Sequence, residues 1–116
     1  RKLHAAGADL VLGSDAGVQD HFPGFAAHRE LELFVAAGLP PMDALAIATS
    51  RPALRLRQVD AGRLALGTRA DFVVLDANPL DDITATRRIA GVYLGGDAVD
   101  REALGAAWAA RAPSRR

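Results

Sequence analysis

The sequence contains no cysteine. That absence excludes a disulfide framework and any thiolate metal site, so a metal bound here would rest on oxygen and nitrogen donors. It also has no surplus charge of either sign: 14 basic side chains balance 14 acidic ones. A neutral chain offers no electrostatic reason to expect nucleic acid or an anionic membrane as partner. No apolar run approaches the ~20 residues that span a bilayer, and no secretory signal is visible. Internal repeats and low-complexity segments are missing too. Methionine is nearly so: the only one is Met42, and the chain opens Arg1-Lys2-Leu3. The expectation is therefore the C-terminal piece of a longer, cytoplasmic protein. What remains is 116 residues, half of them apolar. That suffices for one modest domain burying roughly two-thirds of its unfolded surface.

The chain is organised around Ala8-Asp9-Leu10-Val11-Leu12-Gly13-Ser14-Asp15-Ala16-Gly17. Leu10, Val11 and Leu12 are apolar without alternation, which predicts a strand buried on both faces, as in parallel sheets. Gly13 and Gly17 bracket Ser14 and Asp15, permitting a tight turn or a close approach to a ligand. The strand thus ends in one carboxylate, where barrel enzymes keep their chemistry.

Before it, Arg1 to Gly7 reads as a last helical turn. After it, residues 18–26 form a loop with Phe22, Pro23, Gly24 and Phe25, placed to wall a pocket. Leu31, Phe34 and Val35 predict a helix from about Ala27 to Ala37. Pro40-Pro41 opens a second helix, with Asp43 in its first turn and a buried stripe of Met42, Leu45, Ala46 and Thr49. Pro52 predicts a break at Arg51, followed by a short helix with Leu54 and Leu56. Beyond Gln58 the pattern changes. Residues 62–67 read as a short strand or turn, and Phe72-Val73-Val74-Leu75 as a strand closed by Asn78-Pro79. Residues 83–88 give no signal. Val92-Tyr93-Leu94 and Asp97-Ala98-Val99 flank Gly95-Gly96, a two-residue hairpin signature. Residues 101–111 return to helix, with Leu104 and Trp108 as a docking face.

Asp15 is the one strong candidate for chemistry. A strand-end carboxylate can bind a cation or act as a general base, and it can equally cap a turn. The Gly-Ser-Asp-Ala-Gly spelling also fits a nucleophile elbow with Asp as nucleophile, but Pro23 and Gly24 interrupt the helix that an elbow needs. The histidines, His4, His21 and His28, lack the close pairing of a zinc motif. His4 and His28 read as surface or capping groups, and His21 as a pocket residue. The other aspartates read as turn chemistry, and Gly95-Gly96 lacks the helix of a phosphate loop.

Several motifs together, in order, resemble the amidohydrolase superfamily. Leu3-His4-Ala5-Ala6-Gly7 with Leu12-Gly13-Ser14-Asp15-Ala16-Gly17 is similar to its eighth barrel strand. His28-Arg29-Glu30-Leu31-Glu32-Leu33 with Ala37-Gly38-Leu39 resembles its last barrel helix. Asp43-Ala44-Leu45 and Ala48-Thr49-Ser50-Arg51-Pro52-Ala53 resemble its following helix pair. Gly62-Arg63-Leu64, the run from Gly67 to Asp76, Asn78-Pro79-Leu80 and the hairpin at Gly95-Gly96 resemble its returning β domain. The flavour is that of the imidazolonepropionase-like and Xaa-Pro dipeptidase-like branch.

The resemblance implies an α/β fold: the C-terminal end of a TIM (β/α)₈ barrel over 1–57, the C-terminal strands of a composite β-sandwich over 58–100, and a helix and tail over 101–116. It implies a metal-dependent hydrolase of C–N bonds in amides, cyclic amides or dipeptides. Asp15 then becomes ligand to a divalent metal, zinc first, in a site of one or two ions, and also the proton shuttle. Gln19, His21 and Phe22 become substrate contacts. The family's His-x-His, its bridging residue and its two further histidines have no counterpart here; His-x-His would lie about 250 or more residues upstream. Missing sandwich strands leave unpaired edges, which favours a homo-oligomer. The 116 residues alone are expected to be inactive. A non-catalytic ligand-binding or oligomerisation module of a metal-free relative is the alternative.

Overall fold

The computed structural model describes residues 1–18 and 22–111. Helices come first and sheet follows: α1 (Lys2–Ala5), α2 (Ala26–Ala36), α3 (Pro41–Ala48), α4 (Ser50–Arg55), β1 (Phe72–Leu75), a 3-10 helix (Ile83–Arg87), β2 (Ile89–Leu94), β3 (Asp97–Ala98) and α5 (Arg101–Arg111). The content is α/β, as expected. None of these helices is long and apolar enough to cross a membrane.

α2 forms where the apolar spacing places it, with Leu31 buried and Phe34 and Val35 packed beside it. α3 starts at Pro41, whose missing N–H would be unsatisfied in a first turn anyway. Its buried side chains are Ala44 and Ile47; of the expected stripe, Leu45 packs on the core and Ala46 is half-buried, while Met42 and Thr49 are exposed. Met42 is 58% exposed. The helix is apolar almost all round, so periodicity alone could not select the face that packs. The break before α4 falls at Thr49 rather than Arg51. Pro52 sits in the first turn of α4, where no N–H is required, and its ring would clash with the carbonyl of Ala48, so α3 has to stop there. In α4 it is Ala53 that is buried, while Leu54 and Leu56 face solvent.

After α4 the chain folds back onto the helices at Gly62. Its φ is +76°, and a Cβ there would stand 2.6 Å from the Thr49 carbonyl oxygen and 2.7 Å from the Ala53 Cβ. Residues 62–67 are turn and bend, not strand. β1 pairs antiparallel with β2, and β2 with β3. Gly95 and Gly96 have φ of +60° and +92°, the left-handed pair a tight hairpin needs. Phe72 and Tyr93 face one another across the ladder, their rings stacked at 4.6 Å.

The segment without a sequence signal is the 3-10 helix. Asp82 caps it by accepting from the Thr84 amide at 2.9 Å and from the Thr84 hydroxyl at 2.7 Å. Ile83, Ala85 and Thr86 are buried. The main core is where this element meets α2 and α3: Leu31, Ala44 and Ile83, with Leu12, Phe34, Val35, Leu45 and Ala48 packed against them. α5 carries no buried residue, so the face of Leu104 and Trp108 is undocked.

The expected strand at 8–12 needs correction. The run is extended but has no ladder partner among the described residues, and its exposure alternates, Leu10 and Leu12 inward and Asp9 and Val11 outward. Only one face is covered. Strand status requires neighbours to bond, and the bond the described residues show for Leu12 runs from its N–H to the Ile47 carbonyl, on a helix, at 3.0 Å.

Candidate functional site

Leu12 is the anchor from which the site extends. Packed on the core and bonded to α3, it fixes the run three residues before Asp15. Alternation turns Ser14 partly inward and leaves Asp15 exposed. Asp15 has φ +48°, one of two non-glycine residues in the described structure with positive φ. Its carbonyl accepts from the Val18 amide at 3.4 Å, so the chain turns directly after the carboxylate. Among the described residues the next helix begins at Ala26, and Asp15 does not pass straight into it as an elbow requires.

A hollow of about 180 Å³ opens beside Ser14, walled by Phe22, Phe25, Arg29, Glu30 and Leu33. Phe22, an expected substrate contact, is thereby brought next to the residue preceding Asp15. Gln19 and His21, the other two expected contacts, lie outside the described residues. A larger apolar cavity of about 550 Å³ separates α2 and α3 from the sheet, lined in part by Leu31, Leu45, Phe72, Leu75 and Ile89. It does not reach Ser14 or Asp15.

Several other acidic and imidazole groups among the described residues are used structurally. His4 is half-buried, not a free surface group: its Nε2 is 3.2 Å from Asp43 Oδ2, and Asp43 Oδ1 is 3.9 Å from Arg51. Asp9 pairs with Arg55. These groups fasten the start of the extended run, whereas Asp15 stands at its end. His28 likewise is neither cap nor surface group. Its Nδ1 lies 3.1 Å from Thr86 Oγ1, and that hydroxyl donates to the Ile83 carbonyl at 2.9 Å. The hydroxyl's proton being spent, the imidazole nitrogen must be the donor, which selects the Nδ1–H form. Burial, then the nearby Arg87 cation, hold His28 below the usual imidazole pKa.

Arg87 escaped sequence reasoning because its segment had no periodic pattern. Its Nε donates to Glu32 Oε1 at 2.6 Å, and its guanidinium lies 4.2 Å over the Phe25 ring. The hydrogen bond from Arg87 is the main cause holding Glu32 below the usual carboxylate range. The readable clue was the Asp82-x-Thr84 capping pair, which marks a helical turn starting there.

Among the described residues, no group of three or more His, Asp or Glu side chains lies close enough to hold a metal ion. A catalytic zinc takes three protein donors. Asp15, exposed and oxygen-bearing, fits as one of them, and these residues do not supply the rest.

Fold and site thus define an α/β chain that presents the Asp15 carboxylate at the end of an extended run, on a scaffold of α2, α3, α4, the 3-10 helix and a small antiparallel sheet. The family model described as "Amidohydrolase family" matches residues 1–99, and the chain belongs to that family. An adenine deaminase of Klebsiella pneumoniae subsp. pneumoniae is 42% identical over 71 residues, which are 61% of this chain and 11% of that protein. An imidazolonepropionase of Deinococcus deserti is 37% identical over 87 residues, 74% of this chain and 22% of that protein. The crystal structure of a Xaa-Pro dipeptidase with bound methionine in the active site superposes with TM-score 0.76 at 31% identity, covering 84% of this chain and 24% of that one. The chain thus spans between about a tenth and a quarter of the lengths of these relatives.

Proposed function

We propose that these residues are the C-terminal part of a metal-dependent hydrolase of C–N bonds, in which Asp15 is both metal ligand and proton shuttle. The observation that carries the reading is Asp15 itself. An exposed carboxylate with φ +48° ends an extended run inside a family match covering residues 1–99. Left-handed backbone at a non-glycine residue is uncommon, and such strain gathers at functional sites. The names of the relatives all denote cleavage of a C–N bond, in an amidine, a cyclic amide or a dipeptide.

In this reading the run 8–15 is the last strand of a (β/α)₈ barrel, and the sheet of β1 to β3 is part of a β-sandwich. Asp15 would be one ligand of a divalent cation such as zinc, which would supply Lewis-acid polarisation and a water of lowered pKa. Asp15 takes a proton from the attacking water as the new C–O bond forms. It returns that proton to the leaving nitrogen as the C–N bond breaks, so the carboxylate ends unchanged. Phe22 and the hollow beside Ser14 contact a small-molecule or dipeptide substrate, with Gln19 and His21 from the same loop.

The test is made in the longest reading frame that carries these residues. Asp15→Asn keeps size and turn propensity but cannot hold the proton, so kcat should fall by about 10²- to 10⁴-fold. Bound metal, measured by elemental analysis, should fall with it. The 116-residue chain alone should hydrolyse nothing. An Asp15→Asn protein with full activity would sink the assignment, and a parent frame with neither metal nor activity would favour a non-catalytic module.

A further inference from the structure

Phe25, His28 and Glu32 are spaced i, i+3 and i+7, which puts them on one face at the start of α2. The 3-10 helix grips all three: Thr86 bonds His28 at 3.1 Å, Arg87 bonds Glu32 at 2.6 Å, and the Arg87 guanidinium lies 4.2 Å over Phe25. Phe25 is also where α2 joins the loop from Asp15. The Phe25 and Ala26 amides both donate to the Phe22 carbonyl, at 3.1 and 3.0 Å, so holding Phe25 holds the turn that carries Phe22. Phe22 and Phe25 in turn wall the hollow of about 180 Å³ beside Ser14.

We propose that Arg87 is a positioning residue for the Asp15 site: stacked on Phe25 and anchored by Glu32, it sets the aromatic wall of the hollow and thereby the fit of the substrate. The inference rests on the proposed hydrolase reading. A planar guanidinium can lie flat on a ring and still direct its Nε–H sideways to a carboxylate; a lysine ammonium cannot do both. Arg87 reaches no reacting atom, so the effect belongs to binding more than to the chemical step.

The experiment compares Arg87→Met and Arg87→Lys in the longest reading frame, by steady-state kinetics and by amide hydrogen exchange. Arg87→Met should raise KM about three- to tenfold with kcat within about twofold, and Arg87→Lys should recover part of that loss. Exchange should quicken at residues 22–26 and stay unchanged in β1 and β2. Unchanged KM in a folded Arg87→Met protein overturns the proposal, as does faster exchange spread evenly over the chain. If the parent frame hydrolyses no C–N bond, exchange decides alone. Faster exchange confined to 22–26 keeps the positioning role and removes the hydrolase reading, whereas unchanged exchange there removes the positioning role.

Discussion

Asp15 and Gly62 both occupy left-handed backbone, for opposite reasons. At Asp15 the conformation presents a carboxylate, and nothing crowds it. Asn and Gly tolerate such a φ better than other residues do. Asp15→Asn and Asp15→Gly should therefore leave stability nearly unchanged, while Asp15→Ala costs about 1 kcal/mol, by urea denaturation. All three should lose hydrolysis, which separates the residue's chemistry from its conformation. At Gly62, with φ +76° and the Thr49 carbonyl 2.6 Å from any Cβ, the conformation lets two backbones touch. Gly62→Ala adds left-handed strain to overpacking and should cost about 2–4 kcal/mol. A loss below 1 kcal/mol would mean that the 62–67 turn can move off α4. His28 links stability to pH. Its folded pKa lies below the usual 6.5, so in that window the unfolded chain binds the extra proton. The His28 contribution is complete above about pH 6.5 and declines as pH falls below it. Thermal melts from pH 7.5 to 5.0 should show a steeper fall for wild type than for His28→Gln, and equal slopes would refute the linkage.

At the scale of elements, α3 shows where a sequence stops being legible. Its start was readable from Pro40-Pro41, because proline chemistry is local. Its buried face was not, because the helix is apolar almost all round and the choice is made by Leu31 and Ile83 on other elements. Ile47 is fully buried and Met42 is 58% exposed. Ile47→Ala should thus cost about 2–5 kcal/mol and Met42→Ala less than about 0.5, in chemical denaturation. Comparable losses would restore the Met42 stripe. The same division runs along the chain. Gly95-Gly96 and Phe72–Leu75 declared themselves through φ preference and β-branching. The 3-10 helix declared nothing, since it is held by a cap at Asp82 and by long-range contacts to α2. Of the candidate site, Asp15 stands out in the sequence through its glycine brackets, whereas the Arg87 contacts to Glu32 and Phe25 are long-range and leave no local pattern. The extended run read as doubly buried from its composition, whereas among the described residues only one face is covered.

The dimensions of the whole chain depart from those of a compact domain. A compact domain of this length has a radius of gyration of about 13 Å, and this chain has 16.1 Å. A folded monomer of its mass exposes about 6,100 Å², against 8,756 Å² here. The excess exceeds the area of a standard protein interface. It is also apolar where it is concentrated: Val11 on the open face of the run, Leu54 and Leu56 on α4, and Trp108, 73% exposed, on α5. Exposed apolar side chains of this kind favour association. The edges of the three-stranded sheet add unpaired N–H and carbonyl groups to the same tendency. The isolated chain of 12.2 kDa should therefore sediment as a concentration-dependent mixture of dimers and larger species, and should bind a hydrophobic dye. On the proposed barrel reading, a longer reading frame that covers the open face of residues 8–12 should bind less dye. A monodisperse 12.2 kDa species that binds no dye and unfolds cooperatively would show instead that these residues are self-sufficient.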